Sequence, residues 1–135
     1  MTERLYEIVE MPVLGDQRGQ LVAIEELNTL PIKFARVYYI YGTEKGVSRG
    51  NHAHYKLRQF MTCLAGSCDV MFDNGWQTAT ETLASPSKCV SVEPLVWHSM
   101  TNFSKDCVLL VLAEDLYDEA DYIRDYEEFL AIVER

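Results

Sequence analysis

Two of the chain's three histidines stand in one tripeptide, His52-Ala53-His54, inside the run GVSRGNHAHYKLRQFMTCLAG. In an extended strand, residues i and i+2 face the same side, so both imidazoles are aimed at one point. Imidazole titrates nearest to physiological pH and is a common metal ligand. The pair therefore predicts one of two chemistries, metal binding or proton transfer. Gln59 follows five residues after His54, and the third histidine, His98, follows Trp97 on a predicted strand. Tyr38, Tyr39 and Tyr41 crowd the run ARVYYIYG, where alternation puts Tyr39 and Tyr41 on one face and Tyr38 on the other.

These residues must be positioned by short strands. Of the 135 residues, 48% are hydrophobic, enough for a core, and the length suits one domain over 1–135. Turn residues punctuate the chain into about eight to ten strands, the spacing of a β-barrel or sandwich. Asn74-Gly75 predicts a hairpin because both positions tolerate positive φ. After Glu114 the pattern changes. Tyr122, Tyr126, Phe129, Leu130 and Val133 recur at helical spacing, which predicts one amphipathic helix over about 119–134, broken near its start, with its aromatic side on the barrel. The acidic residues of this tail read as a solvated helix face.

Composition excludes several classes. A formal charge of −9 argues against nucleic acid as a partner. It leaves room for an anionic small molecule where the lining is locally basic, and Arg18, Lys33, Arg36, Arg49, Lys56 and Arg58 lie in the first half. No apolar run approaches the roughly 18 to 20 residues of a membrane span. The N-terminus lacks a basic stretch followed by an apolar one, so no secretory leader is expected and the cytoplasm is the default. Cys63, Cys68, Cys89 and Cys107 sit in apolar runs without metal-ligand spacing and read as reduced core residues. Trp76 and Trp97 are able to stack on a base, although in β-barrels such residues ordinarily fill the core.

The histidine run resembles the first cupin motif: Gly46, five residues, His52-x-His54, four residues, Gln59 where cupins usually carry Glu, six residues, Gly66. The second motif is partial. His98 and Asn102 keep its spacing, Pro94 lies one place off, and Leu95 stands where Gly is expected. The resemblance implies an all-β cupin, a double-stranded β-helix or jelly-roll-like barrel with its site in the mouth, followed here by the C-terminal helix.

Nearly the whole chain resembles a narrower family, the sugar 3,4-ketoisomerases (FdtA- or QdtA-like) acting on dTDP-4-keto-6-deoxyglucose. The resemblance rests on RG-x-HAH, on Gln59, and on the tail YDEADYIRDYEEFL. It implies a metal-independent homodimer that exchanges N-terminal strands, needs no cofactor, and makes a 3-keto-6-deoxy sugar nucleotide. An aminotransferase then uses that product for 3-amino sugars of surface polysaccharides or glycosylated antibiotics.

With Gln59 in place of Glu, a metal would be held by His52, His54 and His98, all neutral, and affinity for a divalent ion should fall. Proton transfer suits the implied chemistry. Moving a ketone from C4 to C3 requires taking the C3 proton and returning one at C4 through an enediolate, work for a histidine, with a donor to the developing oxyanion. The resulting assignment is His52 as acid/base group, His54 as its partner and Tyr38 as the oxyanion contact. Arg49 and Arg18 are assigned to the diphosphate, because guanidinium binds phosphate bidentately, and Gln59 hydrogen-bonds within the site. Within the family, an Arg at position 18 with a His at position 98 goes with an axial C4 hydroxyl, so the galacto product is expected. The competing readings are a metal-dependent three-histidine cupin enzyme, a non-catalytic cupin that binds sugar nucleotides, and an epimerase of the same 4-keto sugar.

Overall fold

The computed structural model describes residues 5–134; the first four residues, part of the segment read above as carrying no leader, lie outside it. The strands are β1 (Ile8–Glu10), β2 (Leu14–Asp16), β3 (Gly19–Leu21), β4 (Arg36–Tyr41), β5 (Arg49–His54), β6 (Gln59–Ala65), β7 (Cys68–Asp73), β8 (Thr78–Leu83), β9 (Lys88–Val92), β10 (Trp97–Thr101), β11 (Val108–Ala113) and β12 (Tyr122–Ile123), followed by α1 (Tyr126–Ile132). Two five-stranded sheets form, in the orders β1-β9-β6-β11-β4 and β12-β5-β10-β7-β8. Every pairing of these strands, within each sheet and in the β2–β3 hairpin, is antiparallel.

The sheets face each other across an apolar core that includes Met61, Cys63, Val70, Phe72, Leu109 and Val111. Alternation explains the division. On β6, Met61 and Cys63 enter this core while Phe60 packs on the outer side with Leu112, Leu30 and Ile32. With both faces covered, β6 is buried from Gln59 to Cys63, which is why QFMTC reads as a nearly continuous apolar run. All four cysteines are free and buried, as their setting predicted.

The structure refines the sequence pattern at three places. Asn74-Gly75 does mark the β7–β8 hairpin, but the loop runs Asn74 to Gln77. Asn74 Oδ1 accepts the N–H groups of Trp76 and Gln77, and Gly75 alone takes a positive φ, +97°. The run CVSVEPLVWHSMTNF splits into β9 and β10 around Pro94, with Leu95 at φ +58°, a left-handed conformation in the place where the cupin motif prefers Gly.

The tail is not one helix. Asp118 caps a 3-10 turn over Glu119–Asp121, Tyr122–Ile123 pair with β5, and Asp125 caps α1 by accepting the Glu128 N–H at 3.0 Å. Two acidic N-caps seven residues apart, at Asp118 and Asp125, each start a separate turn and stop a continuous helix. Only α1 packs outside the barrel: Phe129, fully buried, sits with Ala53 and Ile123, and its ring is 5.7 Å from Trp97. Trp97 thus serves this outer contact, and Trp76 is exposed on the hairpin loop. Among the described residues no helix is long and apolar enough to cross a membrane.

Candidate active site

At one end of the space between the sheets the lining turns polar. β5 and β10 pair so that His98 lies opposite His52, and β12 pairs so that Tyr122 lies opposite His54. The His52 ring is 5.0 Å from that of His54 and 4.7 Å from that of His98, edge-on in both cases. The Tyr122 ring closes the group at 5.0 Å from His52 and 4.4 Å from His54. From the opposite sheet, Tyr38 on β4 reaches over β11 to β6, where its hydroxyl donates to Gln59 Oε1 at 3.1 Å. The structure thereby brings together His52, His54, His98, Tyr38 and Gln59 from four strands.

Arg49 joins them through a bulge. It stands three positions before His52, an odd offset that would put the two on opposite faces of a regular strand. The β5–β10 register instead matches His98 with His52 and Ser99 with Gly50, leaving Asn51 as the extra residue. Gly50 and Asn51 take φ of +86° and +59°. The bulge reverses the phase, so Arg49 pairs with the buried Met100 and shares a cavity of about 380 Å³ with His52, Tyr38, Arg36, Tyr122 and Arg124. A second cavity of about 480 Å³ lies beside it, lined by His54, Asp121, Lys56 and again Arg36, Tyr117 and Tyr122.

Arg18 is elsewhere. It stands on the β2–β3 hairpin, exposed, with its guanidinium on the Asp16 carboxylate at 2.7 Å, and it lines a cleft formed by that hairpin alone. Within one chain the structure does not bring it to the histidines.

Burial sets the protonation states. It lowers the His52 pKa, and it lowers His54 to about 4, where the neighbouring His52 acts in the same direction and Asp121 partly opposes them. His98 is pushed down to about 3, again chiefly by burial. All three imidazoles are therefore neutral at physiological pH. A carbonyl only accepts, so the 3.3 Å contact of His98 Nδ1 with the Val96 carbonyl puts the proton on Nδ1 and leaves Nε2 bare. Burial raises Tyr38 to about 12, with Tyr122 adding to it, so its hydroxyl stays a donor.

Among the described residues, the buried side-chain polar atoms without a protein partner are Arg36 Nε, His52 Nδ1, His54 Nδ1 and Gln59 Nε2. Arg36, His52 and His54 line these two cavities, and Gln59 is bonded to Tyr38, which lines one of them. Folded proteins leave few such atoms, so their gathering in one place marks a site built for a polar ligand.

The donors for a metal are the three imidazoles, whose nearest ligand nitrogens lie within 4.8 Å of one another. No carboxylate stands in Gln59's place, and the Gln59 oxygen is already taken by Tyr38. Three neutral imidazoles can hold a divalent ion, but without an anionic ligand the set binds it less strongly than one completed by a carboxylate.

The sequence reading gives Asp121, Tyr122 and Arg124 no site role, and names Arg36 only among six basic residues able to line an anionic site; it lines both cavities. Arg36 lies over the rings of Tyr38 and Tyr117, and Arg124 lies 4.2 Å over Tyr122 while paired with Glu119. The usable signal was the pair of cap residues, Asp118 and Asp125, which frees 122–124 from a helix.

A two-sheet antiparallel barrel with histidines at its mouth is the cupin architecture. Residues 4–134 match the family described as FdtA: WxcM-like, C-terminal, and the chain belongs to it, among the sugar 3,4-ketoisomerases. A TDP-4-oxo-6-deoxy-α-D-glucose-3,4-oxoisomerase of Aneurinibacillus thermoaerophilus is 49% identical over 91% of this chain and 88% of its own length. A 3,4-ketoisomerase from Helicobacter canadensis superposes with a TM-score of 0.93 at 39% identity, over 96% of this chain and 98% of the other. A histidine-to-asparagine mutant of QdtA from Thermoanaerobacterium thermosaccharolyticum, solved with TDP-4-keto-6-deoxyglucose, gives 0.95 at 34% identity, over 98% and 96%. The family makes the chain an isomerase.

Proposed function

We propose that this isomerase converts dTDP-4-keto-6-deoxy-D-glucose to a dTDP-3-keto-6-deoxy hexose by moving a proton between C3 and C4. The observation that carries the reading is the gathering of unpartnered polar atoms around neutral histidines and a protonated tyrosine. Neutral His52 takes the C3 proton, which the adjacent carbonyl acidifies. The electrons move onto the C4 oxygen, and the Tyr38 hydroxyl donates to the oxyanion as it forms. His52 then returns a proton to C4. The C3 hydroxyl gives up its proton as its oxygen becomes the ketone, and the C4 oxygen gains one, with His54 as partner in this exchange. Nothing is oxidised or reduced overall, so no redox cofactor is needed.

Arg49 takes the diphosphate. Among the described residues neither it nor Arg36 is in an ion pair, so two guanidiniums face the His52 cavity in a protein of net charge −9. The favoured product is galacto, on the family pairing of Arg18 with His98. Arg18 reaches a site only if the hairpin serves a second copy, which agrees with a homodimer that exchanges N-terminal strands; Leu14 and Leu21 on the hairpin are exposed. The product feeds an aminotransferase for 3-amino-sugar synthesis, and four free buried cysteines suit a reducing cytoplasm.

The test is incubation with dTDP-4-keto-6-deoxyglucose followed by NMR of the product, with and without chelator. A 3-keto product unaffected by chelator supports the reading. An unchanged substrate, or a 4-keto epimer, overturns it, and a gluco product overturns the stereochemical part alone. The converging imidazoles also permit a three-histidine metal enzyme; stoichiometric metal that tracks with activity would establish that instead.

A further inference from the structure

Asp121 closes the 3-10 turn immediately before β12, and the pairing of Tyr122 with His54 sets it beside the His54 imidazole. Its Oδ2 lies 3.4 Å from His54 Nδ1. The carboxylate is held firmly: Oδ1 accepts the Lys56 N–H at 3.0 Å and Oδ2 the Leu57 N–H at 3.1 Å, while the Asp121 carbonyl accepts the Tyr55 N–H at 3.0 Å. His54 is fixed from the other side, because the Leu95 N–H donates to its carbonyl at 2.7 Å. The His54 side chain is 2% exposed and that of Asp121 16%.

His54 Nδ1 has no formed hydrogen bond; at 3.4 Å the contact is long and not aligned as one. A movement of about 0.5 Å closes the gap, and hydrogen bonds between catalytic groups commonly tighten when substrate binds. A carboxylate only accepts. A neutral imidazole that donates to it must carry its proton on Nδ1, with Nε2 bare.

We propose that Asp121 is a positioning residue for His54. It selects the tautomer with the proton on Nδ1 and leaves Nε2 as an acceptor on the far side of the ring. This rests on the ketoisomerase reading for its catalytic consequence only. The bland alternative is that Asp121 merely ties down the chain at Tyr55–Leu57, and the test separates the two.

The full-length protein is labelled with 15N-histidine and its long-range 1H–15N spectrum recorded near neutral pH. The expected result is His54 with a protonated Nδ1 and a bare Nε2; a proton on Nε2 overturns the proposal, whatever any variant does. In Asp121→Asn the expected results are loss of that tautomer preference and a fall in kcat of about 10- to 100-fold, the scale seen for partners that orient a working histidine, with KM within about threefold. A folded variant with wild-type kcat, or with an unchanged His54 spectrum, overturns it. Should Asp121→Asn fail to fold, the wild-type spectrum decides alone. If the wild-type protein does not isomerise the 4-keto sugar nucleotide, the function fails while the spectrum still reports on the pair.

Discussion

Tyr38 donates its hydroxyl to Gln59 Oε1 at 3.1 Å, spanning β11 to join two strands that are not neighbours. The contact occupies the oxygen at the position where a metal-binding cupin would offer a carboxylate. Gln59→Glu should reverse this. A carboxylate beside three neutral imidazoles supplies the missing anionic ligand, and it holds the Tyr38 hydroxyl more tightly, away from a substrate oxyanion. The variant is expected to retain about one equivalent of a divalent metal through dialysis and to lose at least about tenfold in kcat. Metal analysis and turnover check both; a metal-free, fully active variant would contradict the role given to Gln59.

His52 and Tyr38 face one cavity from opposite sheets, and their losses should differ in kind. His52→Asn removes the proposed proton carrier and should lower kcat by about 10² to 10⁴. Tyr38→Phe removes one donor to the oxyanion and should cost about 10² to 10³. His52→Asn should also abolish exchange of the C3 proton with deuterated solvent, which Tyr38→Phe only slows. Full turnover in either variant refutes its assignment.

The pH dependence follows from burial. His54 and His98 titrate near 4 and 3 in the folded state, against about 6.5 when unfolded. Between pH 6.5 and about 4 the unfolded chain binds protons that the native state refuses, so stability rises with pH in this window and is lost as pH falls through it. At about 1.4 kcal/mol per unit, the loss is on the order of a few kcal/mol. Chemical denaturation at pH 7 and pH 4.5 measures it, and in His98→Asn the drop should shrink. For activity, the lowered pKa of His52 keeps the base neutral in mild acid, so the acid limb of kcat/KM should fall below pH 6.5. Tyr38, at about 12, adds no basic limb in the ordinary range. An acid midpoint at or above 6.5 would contradict His52 as a buried base.

The histidine cluster was legible because strand periodicity is local: HAH on one face, and Tyr38 opposite to Tyr39 and Tyr41, need only the pleat. The structure bears this out on β4, where Val37, Tyr39 and Tyr41 are exposed and Tyr38 and Ile40 turn to the core. Arg49 was named from its place in the motif, yet simple alternation would have put it on the wrong face; the bulge at Gly50-Asn51 that corrects this depends on the partner strand. The acidic tail misled for a related reason. Its aromatic spacing fits a helix, but Asp118 and Asp125 each cap a separate turn, and the pairing of Tyr122 with His54 outweighs helical propensity between them. Asp121 and Arg124 could not be seen as site residues until that strand was placed. Arg18 illustrates a different limit, since its position is settled only by what the hairpin meets.

Gly50 is the residue on which the Arg49–His52 geometry turns. Its φ of +86° lies in the left-handed region, and a Cβ added there would come within 3.2 Å of the His98 carbonyl oxygen and 3.3 Å of the Met100 sulfur. Gly50→Ala must therefore strain the bulge or push β10 away. The first costs about 1 to 3 kcal/mol; the second moves His98 and tilts Arg49. Arg49→Ala removes only the proposed phosphate contact and should raise KM by roughly tenfold or more with kcat nearly unchanged, an effect that weakens with salt. Gly50→Ala should raise KM similarly but lower kcat and unfolding midpoint too, because it disturbs both partners of the bulge. Steady-state kinetics and thermal unfolding of the two variants give the comparison. Equal kcat and stability in Gly50→Ala and wild type would show that the bulge does not set the site.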